Sequence, residues 1–300
     1  MSQNPFAHPS APEGAQVRPP AGGPCILCGA SEHRLLFHKH GYGFTRCESC
    51  SLVRLDPVPD EATLAEVYEQ SYRDGAYAVF ARAGDVRSAT ASARIAVIAP
   101  VAPPGPWLDV GCSTGPFLQA AGDAGIEIEG FDLSAAAVEQ ARSRGLRAMH
   151  SSVEAFEPTR RYACVTAFDL VEHLVDPNPF LERVRGWLAP GGKIALTVPD
   201  IKSLPARAMG SSWYYYAPPV HITYFDRETV TRLLARHGFR PTRIASAPKV
   251  MTADYVLSQL EAFNPLVHRF ARLAAGMLPA RLRRRPIHIP TGEILVVAEA

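Results

Sequence analysis

The spacing of apolar positions changes along the chain and divides it into segments. Residues 1–24 contain proline, glycine, alanine and serine with almost no large apolar side chains, so we expect a disordered tail there. Residues 25–59 carry short apolar runs typical of small strands. Apolar residues at helical spacing follow, which predicts a helical cap over 60–100 before the main domain.

From residue 101 onward, short apolar runs alternate with amphipathic stretches. Such alternation is typical of an α/β domain, in which helices cover both faces of a parallel sheet. We therefore predict one domain over 101–300. Its predicted strands are 107–110, 127–131, 164–168, 193–198, 240–246 and 293–297. Its predicted helices are 116–124, 134–144, 178–188 and 226–237.

An insertion at about 250–288 separates the last two predicted strands. Its apolar residues recur near helical spacing and are followed by a basic end at Arg281 to Arg285. A packed helix with a solvated basic end explains this pattern. Two alternatives stay open, a cover over an acceptor pocket and a peripheral contact with a membrane surface or another anionic partner.

Composition narrows the class of protein. A chain of 300 residues with 47% hydrophobic content can bury a full core. Its 31 basic and 29 acidic residues leave a net charge of +2, which does not favour a nucleic acid as partner. The sequence shows neither a signal peptide nor an apolar run of the roughly 18 residues that a membrane span needs, so we expect a cytoplasmic protein.

Four of the six cysteines form two Cys-x-x-Cys pairs, Cys25 with Cys28 and Cys47 with Cys50, separated by 18 residues. This spacing predicts one tetrahedral zinc site with four thiolate ligands. A redox dithiol fits poorly, because two pairs occur and neither lies at the start of a helix in a βαβ unit. Four thiolates fill the coordination sphere, so the predicted zinc is structural.

A glycine turn follows the first strand of the main domain, where Gly111 and Gly115 bracket the start of a helix. Such a turn lets a ligand lie against the backbone, although an ordinary strand-to-helix turn is the alternative. Asp109 precedes it and can face the ammonium of an amino-acid ligand but would repel a pyrophosphate, which favours S-adenosylmethionine over NAD. Asp132 ends the next strand and can bind ribose hydroxyls, or begin a helix.

With the Glu172-His173 pair after the next long strand, these residues resemble the class I S-adenosylmethionine-dependent methyltransferases over about residues 105–300. The resemblance implies a Rossmann-like, seven-stranded mixed sheet with an antiparallel last strand. It also implies a set of cofactor-binding residues, with Ser113 where relatives often have glycine. These are Asp109, Gly111, Ser113 and Gly115 around the methionyl moiety, Asp132 on the ribose, Ser152 and Val153 near the adenine, and Asp169 lining the pocket.

Residues 25–80 are similar to the N-terminal zinc element of certain bacterial methyltransferases, including sugar C-methyltransferases. Those sugar enzymes usually carry an additional C-terminal domain for which this chain is too short, so we do not expect deoxysugar C-methylation. The resemblance implies a glycan or small-metabolite acceptor.

Three side chains are candidates for catalysis. Glu172 and His173 have two alternative roles: they bind the proton of the acceptor group, or they orient loops. His221 lies in an aromatic segment, 213–225, that either lines an acceptor pocket or packs as core. We predict His221 as the leading general base, since an imidazole suits proton transfer near neutral pH, and a role in holding the loop is the alternative.

The sequence therefore predicts a methyltransferase for a small metabolite or saccharide, with O-methylation favoured. The alternative is an RNA methyltransferase that uses the zinc ribbon as an RNA clamp. A binding protein that keeps the fold without catalysis is a third class.

Overall fold

A computed structural model describes residues 23–60, 63–64, 67, 84–247, 249–257, 265–276, 279–283 and 285–300. Nearly all of the predicted tail at 1–24 and much of the predicted cap at 60–100 lie outside the described residues. Those two assignments stay predictions.

The described strands and helices alternate through the main domain. The strands are β1 (His33–Lys39), β2 (Tyr42–Cys47), β3 (Val53–Asp56), β4 (Trp107–Val110), β5 (Ile128–Asp132), β6 (Ala148–His150), β7 (Tyr162–Phe168), β8 (Leu188–Pro199), β9 (Thr223–Tyr224), β10 (Arg240–Ser246), β11 (Lys249–Met251), β12 (Ile287–Ile289) and β13 (Glu293–Glu299). The helices are α1 (Gly84–Ile98), α2 (Pro116–Asp123), α3 (Ala135–Ser143), α4 (Pro177–Trp187), α5 (Leu204–Met209), α6 (Arg227–Arg236), α7 (Pro265–Gly276) and α8 (Ala280–Arg283), with 3₁₀ turns at Val171–His173 and Gly210–Ser212.

Seven strands form the central sheet in the order β10-β13-β8-β7-β4-β5-β6. Strand β13 runs antiparallel to both β8 and β10, and the remaining neighbours pair in parallel. The predicted α/β fold, with a seven-stranded mixed sheet and an antiparallel last strand, is confirmed. The chain order reverses between β4 and β7, so the carboxyl ends of these strands border the crevice where doubly wound sheets bind ligands.

The central sheet is covered on both faces. Along β13, Ile294 and Val296 belong to one buried apolar cluster, whereas Leu295 and Val297 belong to another. Successive strand residues point to opposite faces, so the two clusters are the two layers between sheet and helices. Burial of each such side chain contributes about 1.5–3 kcal/mol, which is why β13 is apolar at nearly every position.

One observed strand starts earlier than predicted, because it includes a turn that the sequence places before it. The strand predicted at 193–198 is the longer β8, which starts at Leu188 and includes the turn that the sequence places at Pro190-Gly191-Gly192. The pairing of Tyr162 with Leu188 extends β8 backwards, past an irregularity in register. Strand β6 has only three residues, too few to show alternation, and was not predicted.

The insertion at about 250–288 is more varied than the predicted packed helix. Helices α7 and α8 are bracketed by β11 and β12, which pair antiparallel. Leu273 is 67% exposed, so this position does not face a core. Val250 exchanges hydrogen bonds with the Thr90 hydroxyl, which ties β11 to α1. In the part of the chain that the structure covers, no helix has both the length and the apolarity that crossing a membrane requires.

The N-terminal segment forms an antiparallel sheet in the order β1-β2-β3-β9. Its fourth strand comes from the main domain, where Thr223 pairs with Arg54 and Tyr224 with Val53. Arg236 of α6 also donates to the backbone carbonyls of Ile26 and Leu27 at 3.0 and 3.1 Å. The N-terminal sheet, called the ribbon below, is therefore continuous with the main domain.

Candidate active site

The glycine turn lies between β4 and α2, at the reversal of strand order. The backbones of Gly111, Ser113 and Gly115 have positive φ angles of 75°, 51° and 80°. The amides of Gly111 and Cys112 both donate to the Phe131 carbonyl, at 2.9 and 3.0 Å. The turn thus folds over the end of β5, with Gly115 at the N-terminus of α2.

Close packing demands glycine at two positions here. A Cβ on Gly115 would lie 2.5 Å from Leu146 Cδ1. A Cβ on Gly130 of β5 would lie 2.7 Å from the Asp109 carbonyl oxygen and 2.8 Å from Cys112 Cβ. Gly130 was missed in the sequence, where a glycine that interrupts an apolar strand is the available signal. Its missing side chain lets the turn lie directly on β5.

Asp132 is held at the end of β5 by backbone amides. Its Oδ2 accepts from the Ser113 amide and its Oδ1 accepts from the Ser134 amide, both at 2.8 Å. Each carboxylate oxygen has a second lone pair that can accept from a ribose hydroxyl. Asp132 also connects the glycine turn to the start of α3, because Ser134 is the N-cap of that helix.

Asp109 lies beneath the glycine turn and is 3% exposed. The Thr166 hydroxyl of β7 donates to its Oδ1 at 2.6 Å. Burial raises the pKa of Asp109 to about 7, and the Thr166 hydrogen bond opposes that rise. The carboxyl group therefore changes its charge near neutral pH, and a cation placed above the turn would favour the ionised form.

Ser152 and Val153 follow β6, the edge strand that pairs with β5. The Ser152 hydroxyl accepts from the Ala155 amide at 3.2 Å, and Val153 packs against the core cluster that contains Phe131. The predicted cofactor segments thus meet along the carboxyl ends of β4, β5 and β6.

Asp169 follows β7, with a positive φ of 52°. The Thr197 hydroxyl lies 3.0 Å from its amide and 3.1 Å from its Oδ1, and Arg94 of α1 donates to Oδ2 at 3.2 Å. Burial by itself would raise the pKa of Asp169, but Lys249 and Arg94 lower it well below its usual range. Asp169 is therefore ionised and fixed at the crevice.

Three further charged residues of the site, Arg94, Lys249 and Glu293, were not predicted from the sequence. Lys249 of β11 lies 2.7 Å from Glu293 Oε1, and the Tyr215 hydroxyl donates to the same oxygen. Arg94 Nη2 lies 4.0 Å from Glu293 Oε2. An acidic residue opening an otherwise apolar strand was the signal for Glu293. Arg94, Asp169, Lys249 and Glu293 form a network of two cations and two carboxylates, called the charge network below.

The three predicted catalytic side chains meet in one cluster. Glu172, His173 and His221 each offer a ligand atom, and these atoms all lie within 4.8 Å of one another. The two imidazole rings meet edge to face, with centroids 4.6 Å apart. Glu172 is 1% exposed. We call these three residues the Glu-His-His cluster.

Hydrogen bonds set the tautomer of both imidazoles. His173 Nδ1 lies 3.0 Å from the Val220 carbonyl, and His221 Nδ1 lies 2.9 Å from the Tyr215 carbonyl. Because a carbonyl oxygen only accepts, each Nδ1 carries the hydrogen and each neutral ring keeps its lone pair on Nε2.

Burial also fixes the charge of the cluster. It lowers the pKa of His173 to about 4 and that of His221 well below the usual range. It raises the pKa of Glu172 well above the usual range, and the nearby Asp169 carboxylate raises it further. Both imidazoles are therefore neutral at pH 7.

The aromatic segment 213–225 packs mainly as core. Trp213 is fully buried, and the Tyr216 ring lies 5.1 Å from that of Phe44 in β2. Tyr215 lies parallel to His221, with 5.9 Å between the ring centroids. Trp213 and Tyr216 therefore pack as core, which is the second of the two alternatives for this segment. His221 of the same segment belongs to the Glu-His-His cluster.

The four cysteines of the ribbon form a second cluster. The Sγ atoms of Cys25 and Cys50 are 3.4 Å apart, those of Cys28 and Cys47 are 3.5 Å apart, and all four lie within 4.8 Å of one another. None of the four forms a disulfide. Tetrahedral zinc with Zn–S bonds of about 2.3 Å separates its sulfur ligands by about 3.8 Å. The four side chains fit such an ion.

Residues 83–244, more than half of the chain, match the family model described as a methyltransferase domain. The chain belongs to this methyltransferase family. The glycine turn and the seven-stranded sheet with its antiparallel last strand agree with the class I fold that the resemblance in the sequence implied.

Curated relatives match parts of this methyltransferase. Ubiquinone biosynthesis O-methyltransferase of Bordetella avium (strain 197N) is 33% identical over 93 residues, which cover 28% of this chain and 39% of the relative. Trans-aconitate 2-methyltransferase of Methylobacterium radiotolerans is 32% identical over 136 residues, which cover 44% of this chain and 52% of the relative. The chain thus spans about two fifths to one half of the length of these relatives.

Solved structures share the fold. A chain in the complex between the Trm112 methyltransferase activator and a methyltransferase from Haloferax volcanii superimposes with a TM-score of 0.51 and 19% identity, covering 73% of this chain and 92% of that one. A Bacillus halodurans protein described as a methyltransferase superimposes with a TM-score of 0.50 and 17% identity, covering 69% of this chain and 97% of that one. At this identity the likeness concerns the fold alone.

Proposed function

We propose that this methyltransferase transfers a methyl group to an oxygen atom of a small-molecule acceptor, a metabolite or a saccharide. The observation that carries the proposal is the Glu-His-His cluster, in which Glu172 is buried and both histidines are half-buried, close to Asp169. Curated relatives named for ubiquinone biosynthesis and for trans-aconitate support an acceptor of small size.

The proposed cofactor site uses the residues at the carboxyl ends of β4 to β7. Asp132 accepts from the ribose hydroxyls, and the turn from Asp109 through Gly111, Ser113 and Gly115 holds the methionyl part. Ser152 and Val153 border the adenine, and Asp169 lines the pocket on the side of the cluster. S-adenosylmethionine supplies an electrophilic sulfonium methyl group.

The chain's own groups orient the acceptor in this proposal. The Nε2 lone pair of His221 accepts from the acceptor hydroxyl, which aims an oxygen lone pair at the methyl group. As the new O–C bond forms, the C–S bond breaks with its electron pair passing to sulfur, and the hydroxyl proton passes through His221 Nε2 to solvent. Because burial lowers the pKa of His221, the proton does not remain there. Its role as general base stays a prediction, as do the roles of His173 and Glu172.

We also propose that the ribbon cysteines hold a structural zinc ion. Backbone amides of Leu27 and Cys28 hydrogen-bond to the Cys25 thiol, and the Leu52 amide to that of Cys50. Such bonds stabilise thiolate ligands.

The ribbon does not favour the RNA alternative. Arg34 pairs with Glu48 at 2.9 Å, Arg54 donates to the Val175 carbonyl at 2.6 Å, and Lys39 donates to the Trp213 carbonyl at 3.4 Å. These basic groups hold the ribbon to itself and to the main domain. Phosphate contacts need basic groups that project from the surface.

Methyl-labelled S-adenosylmethionine tests the proposed function. The enzyme is incubated with fractionated small acids, phenols, saccharides and total RNA, and label is followed into each fraction. We expect label in a small-molecule fraction as an alkali-stable methyl ether or an alkali-labile ester. His221→Ala should lower that turnover at least about 100-fold with cofactor affinity unchanged, while the exposed His288→Ala should not. Label in RNA alone would contradict the proposed small-molecule acceptor. A normal rate for His221→Ala would contradict the proposed role of His221.

A further inference from the structure

The Glu-His-His cluster contains a buried carboxyl group with one oxygen atom that the described protein groups leave without a partner. Glu172 is 1% exposed, and its Oε2 has no hydrogen-bond partner among the described residues. Buried polar groups are normally hydrogen-bonded, and buried carboxylates are paired or coordinate metal ions. The Glu172 Oε2 atom is therefore available to a ligand that is not part of the protein.

The charge network does not supply a hydrogen bond to that oxygen atom. Its cations, Arg94 and Lys249, contact its own carboxylates at 3.2 Å (Arg94 to Asp169) and 2.7 Å (Lys249 to Glu293). None of the ion pairs formed by the described residues includes Glu172, and its Oε2 stays without a protein partner.

The histidines face this carboxylate in the form that binds metal ions. Each Nδ1 donates to a backbone carbonyl, which leaves the lone pair on Nε2. Metal-binding histidines have this same arrangement, in which a carbonyl or carboxylate holds the far nitrogen and fixes the ring. Two imidazole nitrogens and one carboxylate oxygen suit a first-row transition metal better than Mg²⁺ or Ca²⁺, which prefer oxygen ligands.

We propose that Glu172, His173 and His221 bind one divalent transition-metal ion, separate from the ion assigned to the ribbon cysteines. The ligand atoms come from two segments only, the 3₁₀ turn at Val171–His173 and the loop before β9. The Ile222 amide donates to the Glu172 carbonyl at 2.8 Å and joins these segments directly. Three protein ligands leave coordination positions open at the crevice.

The open positions bear on the acceptor, and this part rests on the proposed function. With the ion bound, His221 Nε2 ligates the ion, and the ion takes over the contact with the acceptor hydroxyl that Nε2 makes in the proposed function. A divalent ion that coordinates a hydroxyl lowers the pKa of that hydroxyl, so its proton passes to solvent before transfer. The resulting oxygen attacks the methyl group, and the C–S bond breaks with its electron pair on sulfur. An acceptor with two neighbouring oxygen atoms can chelate the ion, so we assign the acceptor to that class.

Metal titration of the full-length, zinc-loaded protein tests the site. Mn²⁺ is followed by electron paramagnetic resonance and Co²⁺ by visible absorption, because thiolate-bound cobalt is distinguished by intense sulfur charge-transfer bands. We expect one ion per chain beyond the zinc. Glu172→Gln and His221→Asn should each weaken its binding by at least about tenfold. The control is His288→Asn, which removes an exposed histidine of β12 and should bind as the unaltered protein does.

The thermal unfolding temperature provides a second test of the metal site, which also covers variants that fold poorly. Glu172→Gln preserves the shape of the side chain and removes the carboxyl group that would ligate the ion, so without metal it should be about as stable as the unaltered protein. Added Mn²⁺ should raise the unfolding temperature of the unaltered protein and not that of the variant. His173→Asn replaces any variant that does not fold.

Two outcomes overturn the metal site. In the first, neither Mn²⁺ nor Co²⁺ binds in addition to the zinc. In the second, all folded variants of the Glu-His-His cluster bind the metal ion with unchanged affinity. Metal binding without methylation of any small molecule would overturn the proposed function and leave the metal site standing. Methylation of a small molecule at the same rate after the second ion is removed would leave the proposed function standing and overturn the ion's role in it.

Discussion

At the scale of single residues, carboxylates with different surroundings have different tasks. Asp132 is held by two backbone amides at the surface of the crevice, Asp109 is buried under the glycine turn, and Glu172 is buried with its Oε2 lacking a hydrogen-bond partner. The sequence identified all three because each lies near the carboxyl end of a strand or shortly after it. It could not show which of them would be buried, since that depends on neighbours distant in the chain.

Replacing Asp132 tests the cofactor site. Asp132→Ala should weaken S-adenosylmethionine binding by about 1–3 kcal/mol, because it removes the ribose acceptor and loosens the turn through Ser113. Calorimetry measures the affinity, and the matched control is Asp123→Ala, at the exposed end of α2. Equal affinity for the two variants would disprove the ribose role.

The pKa of Asp109 predicts a pH dependence of cofactor binding. If the cofactor ammonium lies above Asp109, binding favours the ionised carboxyl group and lowers its pKa from about 7. Binding then releases a proton, so affinity should rise with pH by up to about tenfold between pH 6 and 7.5. The upper limit of the range lies below the ordinary α-amino pKa of about 7.7–8.0, so the ammonium form of the cofactor still predominates there.

Calorimetry in buffers with different ionisation enthalpies counts the released protons. Asp109→Asn should bind without this proton release, and Thr166→Val, which keeps the carboxyl group, should retain it. Equal proton release by Asp109→Asn and the unaltered protein would assign the titration to another group.

At the scale of elements, the pairing of β3 with β9 links the cysteine cluster to the Glu-His-His cluster. His221 lies two residues before β9, and the Leu55 amide donates to the Ile222 carbonyl at 3.0 Å. The ribbon thus sets the position of the segment that carries His221. The sequence predicted both the cysteine cluster and His221 but not this connection, because a two-residue strand has no recognisable pattern.

Chelation of the ribbon zinc should therefore act on turnover more than on cofactor affinity. We expect hydrogen exchange to accelerate first in residues 25–57 and next in 221–225, with the residues around Asp132 protected longest. Turnover should fall along with the protection of 221–225. Zinc re-addition is the control and should restore both, whereas cofactor affinity that falls before turnover would contradict this order.

At the scale of the whole molecule, the sheet was predictable and the charge network was not. The apolar runs predicted most of the central strands, and the resemblance implied the mixed sheet with an antiparallel last strand. Arg94, Asp169, Lys249 and Glu293 come from four separate elements, and the topology alone brings them together. The exposed Leu273 and the basic end of the insertion remain consistent with the predicted peripheral membrane contact, which stays a prediction.

The shared ribbon sheet also limits how this enzyme can be divided. If the ribbon were cut away, β9 would lose its partner strand, and the nearly fully buried Tyr224 would face solvent beside an open backbone edge. Such edges recruit strands from other molecules. A truncated main domain would therefore be prone to self-association, and the ribbon serves as an integral wall of the fold that cannot be exchanged between enzymes without its matching β9.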